Sequence, residues 1–570
     1  MKTCIVVLFL SIAGISVAVA QTVAFTKVPV SFQLLARDST DSGTAVISGT
    51  VTGTGYDSIV VDVKKGAAAY RHTKAVLSYT GGIAPFSISV KISSELSEYF
   101  FKVYGNTQLL SSADSVVCGD VYVFNGQSNM EAGGGSAYDW QLGEWVRSTG
   151  YAGSTAVWAK ASFDCCFGNW PYANPGANGP QGAGEVAANL GKDLAAAYQT
   201  PVLVINGAYS GTIIEQHQPN AANHADTTTL YGRVLRRAQV AGVTNNVKAI
   251  LYYQGEYTGN NGYTTYAALF DVLYKAWKQD FPAVRKVYIE QINTGCGYAS
   301  APNVRDIQRK FQETYNDITV MAACGIREYT GCHYGMGGYA QIAQWWQPVY
   351  GRDFYGDQTA NTTAPKIISA AYVTGAHLAL DLTFDMPVVW PADTLGYSMK
   401  DYVTTDTTSG NVDSARVFGS ALRLYLHTAS TSTTVSYLPY SNYKGTTSTY
   451  AGPYLRSARG VGVLTFLNFP ILPGASAEAG AVRTGSLSPL SISPNPFTPG
   501  THILVPEYTP GSGIMLKIYS ADGRMVADLS GKARLSGAVE WNAAGLPSGI
   551  YVLKCVYGNK SLEQKAILAR

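Results

Sequence analysis

The stretch Val121-Tyr-Val-Phe-Asn-Gly-Gln-Ser-Asn-Met130, VYVFNGQSNM, drives four apolar residues straight into a polar turn. A short apolar run bounded by turn residues reads as a buried strand. A turn alone accounts for Gly126 and Asn129. It does not require Ser128 at the strand's end, where a hydroxyl can serve as nucleophile and its own N–H can face an oxyanion.

Outward from this strand the pattern alternates. Helical spacing covers 182–198, a strand follows at Pro201–Ile205 and another at Lys248–Tyr253. A helix is expected at 264–279, a strand at Lys286–Glu290, and helices at 302–315 and 336–348, the last with Tyr339, Ile342, Ala343 and Trp346 on one face. Strands alternating with helices predict a parallel sheet covered on both faces. In such sheets functional residues gather at the carboxyl ends of the strands. Three further polar blocks fall at strand ends or on loops. In Ile205-Asn-Gly-Ala-Tyr-Ser-Gly-Thr212, Gly211 offers an unobstructed N–H. In Tyr252-Tyr-Gln-Gly-Glu-Tyr257, the Gln254 amide can donate to the same developing negative charge. In Gly331-Cys-His-Tyr-Gly-Met-Gly-Gly-Tyr339, His333 precedes the last helix and is a candidate general base for Ser128.

Together, Gly-Gln-Ser-Asn-Met at 126–130, Ser-Gly-Thr at 210–212, Tyr-Gln-Gly-Glu at 253–256, Arg305-Asp-Ile-Gln308 and Gly-Cys-His-Tyr at 331–334 resemble the SGNH hydrolase superfamily. Within it they resemble the carbohydrate esterases of the sialic acid-specific acetylesterase type. The resemblance spans roughly 116–357. It implies a three-layer α/β/α, flavodoxin-like domain that removes acetyl esters from sugars with no metal or other cofactor. Carried over residue by residue, it implies Ser128 as nucleophile, His333 as base, and Ser128, Gly211 and Gln254 as oxyanion donors. Glu256 either contacts the substrate or braces its loop; Arg305 either lines the cleft or supports it. One departure stands out. The family's aspartate three residues before the histidine is replaced by Thr330, which leaves Glu328, a backbone carbonyl, or a Ser-His dyad to orient the imidazole. Loss of that acid costs on the order of 10⁴ in turnover in the serine-protease template.

The rest of the chain is read around this domain. At 570 residues it is too long for one core and predicts roughly three or four domains. Residues 1–20, with Lys2, an apolar run over 5–17 and Ala18-Val-Ala20, read as a signal peptide. Residues 21–115 and 358–472 alternate in strand fashion and predict β-sandwiches on either side of the esterase domain at 116–357. A linker is expected at 473–490. Residues 491–570, with Ser493-Pro-Asn-Pro-Phe497, Asp522-Gly-Arg524 and Leu546-Pro-Ser-Gly-Ile-Tyr551, resemble the C-terminal sorting domain of type IX secretion. That resemblance implies a Gram-negative source, passage through outer-membrane secretion machinery, and release or surface attachment.

A net charge of +3 and the lack of a long basic block exclude nucleic acid and anionic membrane as evident partners. No later run of about 18 apolar residues predicts a transmembrane segment. Seven cysteines follow the leader (Cys118, Cys165, Cys166, Cys296, Cys324, Cys332, Cys555), and a pair is expected among Cys296, Cys324 and Cys332. His217, His224 and Asp226 match no familiar metal spacing and read as a solvated loop near the substrate entrance.

The sequence thus predicts a secreted serine esterase acting on O-acetylated carbohydrate, either O-acetylated sialic acid or an acetylated plant polysaccharide such as xylan. The alternative is a catalytically weak carbohydrate-binding surface protein that lost its acid at Thr330. A purely structural surface protein would leave the Ser128 constellation unexplained.

Overall fold

Residues 108–126 form one long strand whose two halves obey different rules. From Gln108 to Ser115 its side chains are largely exposed, and this half pairs antiparallel with Tyr99–Gly105. From Val116 to Gly126 every residue is buried, and this half pairs parallel with Val202–Asn206 and Val247–Tyr253. An antiparallel strand with one wet face can alternate, whereas a parallel strand covered on both faces must be continuously apolar. The rhythm change seen at 116 is therefore a change of environment within one strand.

The computed structural model describes residues 21–132, 145–161, 177–178, 182–294, 296, 298–373, 375–394, 396–406, 410–440, 453–472, 490–505, 514–521, 524–536, 538–557 and 560–569. The expected signal peptide, most of the expected linker, Cys165, Cys166 and the first two residues of Asp522-Gly-Arg524 lie outside them. The described residues are mostly β, in five sheets. The chain divides into two units, Met1–Ala477 and Glu478–Arg570.

In the first unit the central strand order is Thr155–Lys160, Val146–Ala152, Val202–Asn206, Gln108–Gly126, Val247–Tyr253, Lys286–Gln291, Ile318–Ala322. All neighbours from Val146–Ala152 onward pair parallel; Thr155–Lys160 pairs antiparallel at the edge. The helices Glu185–Tyr198 and Met336–Tyr350 pack on each other. Tyr266–Asp280 and Ala301–Thr314 form a second pair, with Phe270 and Phe311 stacked at 3.9 Å.

At the N-terminal end, Thr22–Lys27, Ser42–Thr52 and Ile83–Ser93 form a three-stranded sheet. Its inward residues Ala45, Ile47 and Val51 share a core with Ile59, Val61, Val63, Phe101 and Val103 of the sheet edge opposite. Each such aliphatic or aromatic burial contributes about 1.5–3 kcal/mol, and the alternating burial along both sheets is that of a sandwich. Residues 367–472 form a seven-stranded mixed sheet, joined at its middle by the parallel pair of Ile367–Tyr372 with Phe466–Leu472. This sheet shares one buried cluster with the central strands.

The second unit has a three-stranded sheet (Ser491–Ser493, Gly500–Leu504, Ala538–Asn542) and a four-stranded one (Met525–Asp528, Ile514–Ser520, Gly549–Tyr557, Lys560–Leu568). The Pro-Asn-Pro-Phe motif serves its core. Phe497 packs 5.1 Å from Trp541, and Asn495 bonds the backbone of Lys565 and Ile567.

Candidate active site

Ser128 follows directly on the buried strand, at the start of a single helical turn, Ser128–Glu131. Gly126 has φ 146°, and a Cβ there would land on the Tyr253 carbonyl of the neighbouring strand. Glycine at this position lets the chain turn out at the sheet edge and present the serine. Across the edge, His333 Nε2 stands 2.9 Å from Ser128 Oγ. The expected nucleophile and base therefore meet, although 205 residues separate them in sequence. Partial desolvation lowers the His333 pKa below 6.5, which favours the neutral imidazole that can accept a proton.

The His333 loop is held from several sides. Thr330 donates to the His333 carbonyl from its N–H at 2.8 Å and its hydroxyl at 3.0 Å, closing a tight turn. Cys332, the preceding residue, is bonded through a disulfide to Cys296. The expectation of one pair among three cysteines is met by these two, while Cys324 Sγ donates to Asn293 Oδ1. Asn129 Nδ2 donates to the Cys332 carbonyl at 3.0 Å.

Of the three alternatives for orienting the imidazole, Glu328 is turned elsewhere. Its carboxylate accepts from the Gly337 N–H at 2.8 Å, in the first turn of Met336–Tyr350. Free N–H groups at a helix start attract a carboxylate. Gly335 and Gly337 leave it room, since a Cβ on either would collide with the carboxylate. Among the described residues no acid reaches His333 Nδ1, and the arrangement is a Ser-His dyad.

Gln254 also departs from expectation. Its side chain is fully buried, and Nε2 donates to Thr258 Oγ1 at 2.9 Å, the Thr212 carbonyl at 3.1 Å and Gln127 Oε1 at 3.3 Å. With its two hydrogens already committed, it braces the Gly211 loop through the Thr212 carbonyl. The N–H groups of Ser128 and Gly211 have no protein acceptor among the described residues. Gly211 sits exposed at φ 69° with nothing near its Cα face.

The Gly211 loop is fixed on both sides. The Ser210 N–H donates to Glu131 Oε2 at 2.7 Å. Thr212 Oγ1 donates to the Tyr209 carbonyl at 2.6 Å and lies 2.8 Å from His217 Nε2. Because the threonine proton points to Tyr209, His217 must be the Nε2–H tautomer. His217 is wholly buried, and burial depresses its pKa to about 3. The expected solvated loop is thus, at His217, an internal support. His224 instead pairs with Asp280 at 2.7 Å, and Asp226 caps local turns. No group of three His, Cys, Asp or Glu among the described residues is arranged to hold a metal ion.

Of the two readings of Arg305, the contacts favour support. It is 1% exposed and donates to the carbonyls of Asn293, Leu438 and Tyr440 and to Thr465 Oγ1. It fastens the C-terminal sheet of this unit to the central one and does not line a cleft. Glu256 is buried against Asn129, the residue after Ser128. One oxygen accepts from Asn129 Nδ2 at 2.7 Å, and the other is buried without a partner. Burial raises its pKa to about 7, partly offset by Asn129. Of its two readings, bracing is the one the contacts favour.

Sequence reasoning passed over Asn129, Tyr339, Glu131 and Cys332 as site residues. Asn129 Oδ1 accepts from the Tyr339 hydroxyl at 3.1 Å, so this one amide joins four elements. Its position next to Ser128 was the available signal.

Comparison with known proteins bears on this geometry. The family model described as "Carbohydrate esterase, sialic acid-specific acetylesterase" matches residues 118–350. No curated protein matches the chain. Among solved structures, a carbohydrate acetylesterase from Xanthomonas citri is similar at 15% identity and TM-score 0.50, over 78% of this chain and 99% of that one. A protein of Arabidopsis thaliana is similar at 18% identity and TM-score 0.32, over 41% of this chain and 99% of that one. A family two carbohydrate esterase from Cellvibrio japonicus is similar at 11% identity and TM-score 0.26, over 58% and 98%.

Proposed function

We propose that this carboxylic ester hydrolase, which carries a carbohydrate esterase domain, removes O-acetyl groups from carbohydrate by a Ser-His dyad through an acetyl-enzyme. The observation that carries the reading is the 2.9 Å approach of His333 Nε2 to Ser128 Oγ at the end of a buried parallel strand. As Ser128 Oγ attacks the ester carbonyl, its proton passes to His333 Nε2. The oxyanion is stabilised by the N–H groups of Ser128 and Gly211, which are free to donate. His333 then protonates the departing sugar oxygen as the C–O bond breaks. Water, giving its proton to His333, attacks the acetyl-serine, and acetate leaves. The parallel strands and their two helix pairs support an SGNH-type α/β/α domain over 116–357, with β modules at 21–115 and 358–472.

Export belongs to the same reading: a signal peptide at 1–20, a linker at 473–490 and a type IX sorting unit at 491–570 would deliver the enzyme to the surface or medium of a Gram-negative cell. Retention of the chain inside cells after removal of 491–570, with release of the full chain, tests it.

A second reading, a catalytically weak carbohydrate-binding protein, is favoured by the lack of an acid at His333 Nδ1 among the described residues. Acetate release by wild type and Ser128→Ala, on acetylated xylan and on O-acetylated sialoglycan, decides between the two. Release by wild type alone supports the esterase, and the preferred polymer names the substrate. No release from either polymer, with no labelling of Ser128 by a fluorophosphonate, favours the binding protein.

A further inference from the structure

The N-terminal module carries a second surface that the esterase chemistry does not use. Along Ser58–Lys65 and Tyr99–Gly105 the side chains alternate. Ile59, Val61, Val63, Phe101 and Val103 enter the core, while Asp62, Lys64, Phe100, Lys102 and Tyr104 face outward. Register places Lys64 opposite Phe100 and Asp62 opposite both Lys102 and His72. These outward residues, with Arg71 and Tyr70, line an open concavity of about 590 Å³.

Its charge is one-sided. Among the described residues Asp62 is the only acid lining it, and it is already engaged by His72 Nδ1 at 2.6 Å. Lys64, Arg71 and Lys102 have no carboxylate partner among the described residues. Lys102 Nζ lies 5.5 Å from the Phe100 ring centroid, and the Arg71 guanidinium lies 4.8 Å from that of Tyr70. Lys64 and Lys102 sit on a cross-strand diagonal, about 7–8 Å apart at the backbone. Unpaired cations beside aromatic faces, on a shallow strip rather than in a deep hole, suit an extended polyanion whose repeating unit has both a carboxylate and an apolar ring face.

We propose that this face binds an anionic polysaccharide, a chain of carboxylated sugars, and holds it for the esterase. The choice of a glycan over other polyanions rests on the carbohydrate esterase reading. The face and Ser128 are linked through one strand. Ser112, paired with Lys102, precedes Ser128 by sixteen residues, and such a span reaches at most roughly 55 Å. A chain of sugars long enough to cover that span can engage both places at once.

The test uses the full chain with Ser128→Ala, so that binding is read without turnover, and titrates it with de-esterified polygalacturonate, neutral xylan and a single-stranded DNA oligonucleotide at low salt. Saturable binding to polygalacturonate is expected, weakened at least tenfold by Lys64→Gln with Lys102→Gln and weakened again by Phe100→Ala. The same variants should unfold at the same denaturant midpoint as the Ser128→Ala parent, which reports that they are folded. Equal binding by wild type and the double lysine variant overturns the proposal, as does absence of binding to polygalacturonate. Tighter binding to DNA than to polygalacturonate also overturns it, in favour of a nucleic-acid surface. Because binding is read in the Ser128→Ala protein, failure of the esterase reading leaves the result interpretable.

Discussion

Asn129, the residue after Ser128, donates from Nδ2 to the carbonyl of Cys332, the residue before His333, at 3.0 Å. The two halves of the dyad are therefore coupled through their chain neighbours as well as through Ser128 and His333 themselves. A buried amide with Glu256, Tyr339 and Cys332 as partners has little freedom to shift.

Asn129→Ala removes that coupling. Misplacement by about 1 Å can cost on the order of 100-fold in rate, so kcat is expected to fall by about 10–100-fold with little change in KM. Leaving Glu256 and the Cys332 carbonyl unpartnered also costs about 1–3 kcal/mol of stability for a buried group. Steady-state kinetics beside a denaturant titration separates the two effects. An unchanged kcat would show that the dyad is positioned by other contacts.

The Cys296–Cys332 disulfide fixes the same loop from the opposite side. Reduction, or Cys296→Ser, should lower kcat by roughly tenfold if freeing the loop loosens His333 by a fraction of an ångström. Reoxidation should restore activity to the reduced wild type and not to the variant. Cys324→Ser provides the contrast, because that thiol lies outside the disulfide. Full activity in reductant would contradict the positioning role.

Glu328 separates the dyad from a triad. Its carboxylate bonds the Gly337 N–H, so Glu328→Gln should leave kcat within about threefold of wild type. The amide can still accept from Gly337, so losing the charge at the helix start should cost only about 0.3–1 kcal/mol of stability. A loss near 10⁴ in kcat, the size expected for a catalytic acid, would instead mean that the carboxylate swings to His333 during turnover.

How far these roles could be read from sequence depends on where each partner lies. The continuous apolar run of Val121–Phe124 reported a strand buried on both faces, because that environment dictates composition locally. The exposed first half of the same strand, Gln108–Ser115, carried no sign that it continued into the central sheet. Ser128 and His333 were legible because each stands in a short polar block at a strand end or loop that a plain turn does not require. Glu328 was not, because a helix start nine residues away competes for its carboxylate, and only the loop's path decides the winner. The choice between cleft and support for Arg305 was undecidable for a similar reason. Its partners, the carbonyls of Leu438 and Tyr440, lie more than 130 residues away. Gln254 was assigned by resemblance alone, and its burial among Thr212, Thr258 and Gln127 is a tertiary fact.

The buried carboxyl of Glu256 makes a prediction about pH with a definite sign. Its pKa rises from 4.5 to about 7 on burial, so the folded protein holds this proton at pH values where the unfolded chain has released it. Between roughly pH 4.5 and 7 the unfolded state binds fewer protons at this site, and stability must fall as pH rises. The loss approaches about 3 kcal/mol once both states are ionised, at 1.36 kcal/mol per pKa unit. Glu256→Gln stays neutral throughout and should flatten this part of the stability profile, gaining most over wild type above pH 7. Activity should run the other way on the acid side: His333 must be neutral to accept the Ser128 proton, so kcat/KM should rise with pH through a pKa below 6.5 in both proteins. Denaturant titrations from pH 5 to 8, with acetate release at each pH, test both slopes. Parallel stability profiles for wild type and Glu256→Gln would mean that Glu256 is not protonated in the folded protein and that its second oxygen finds a partner in solution.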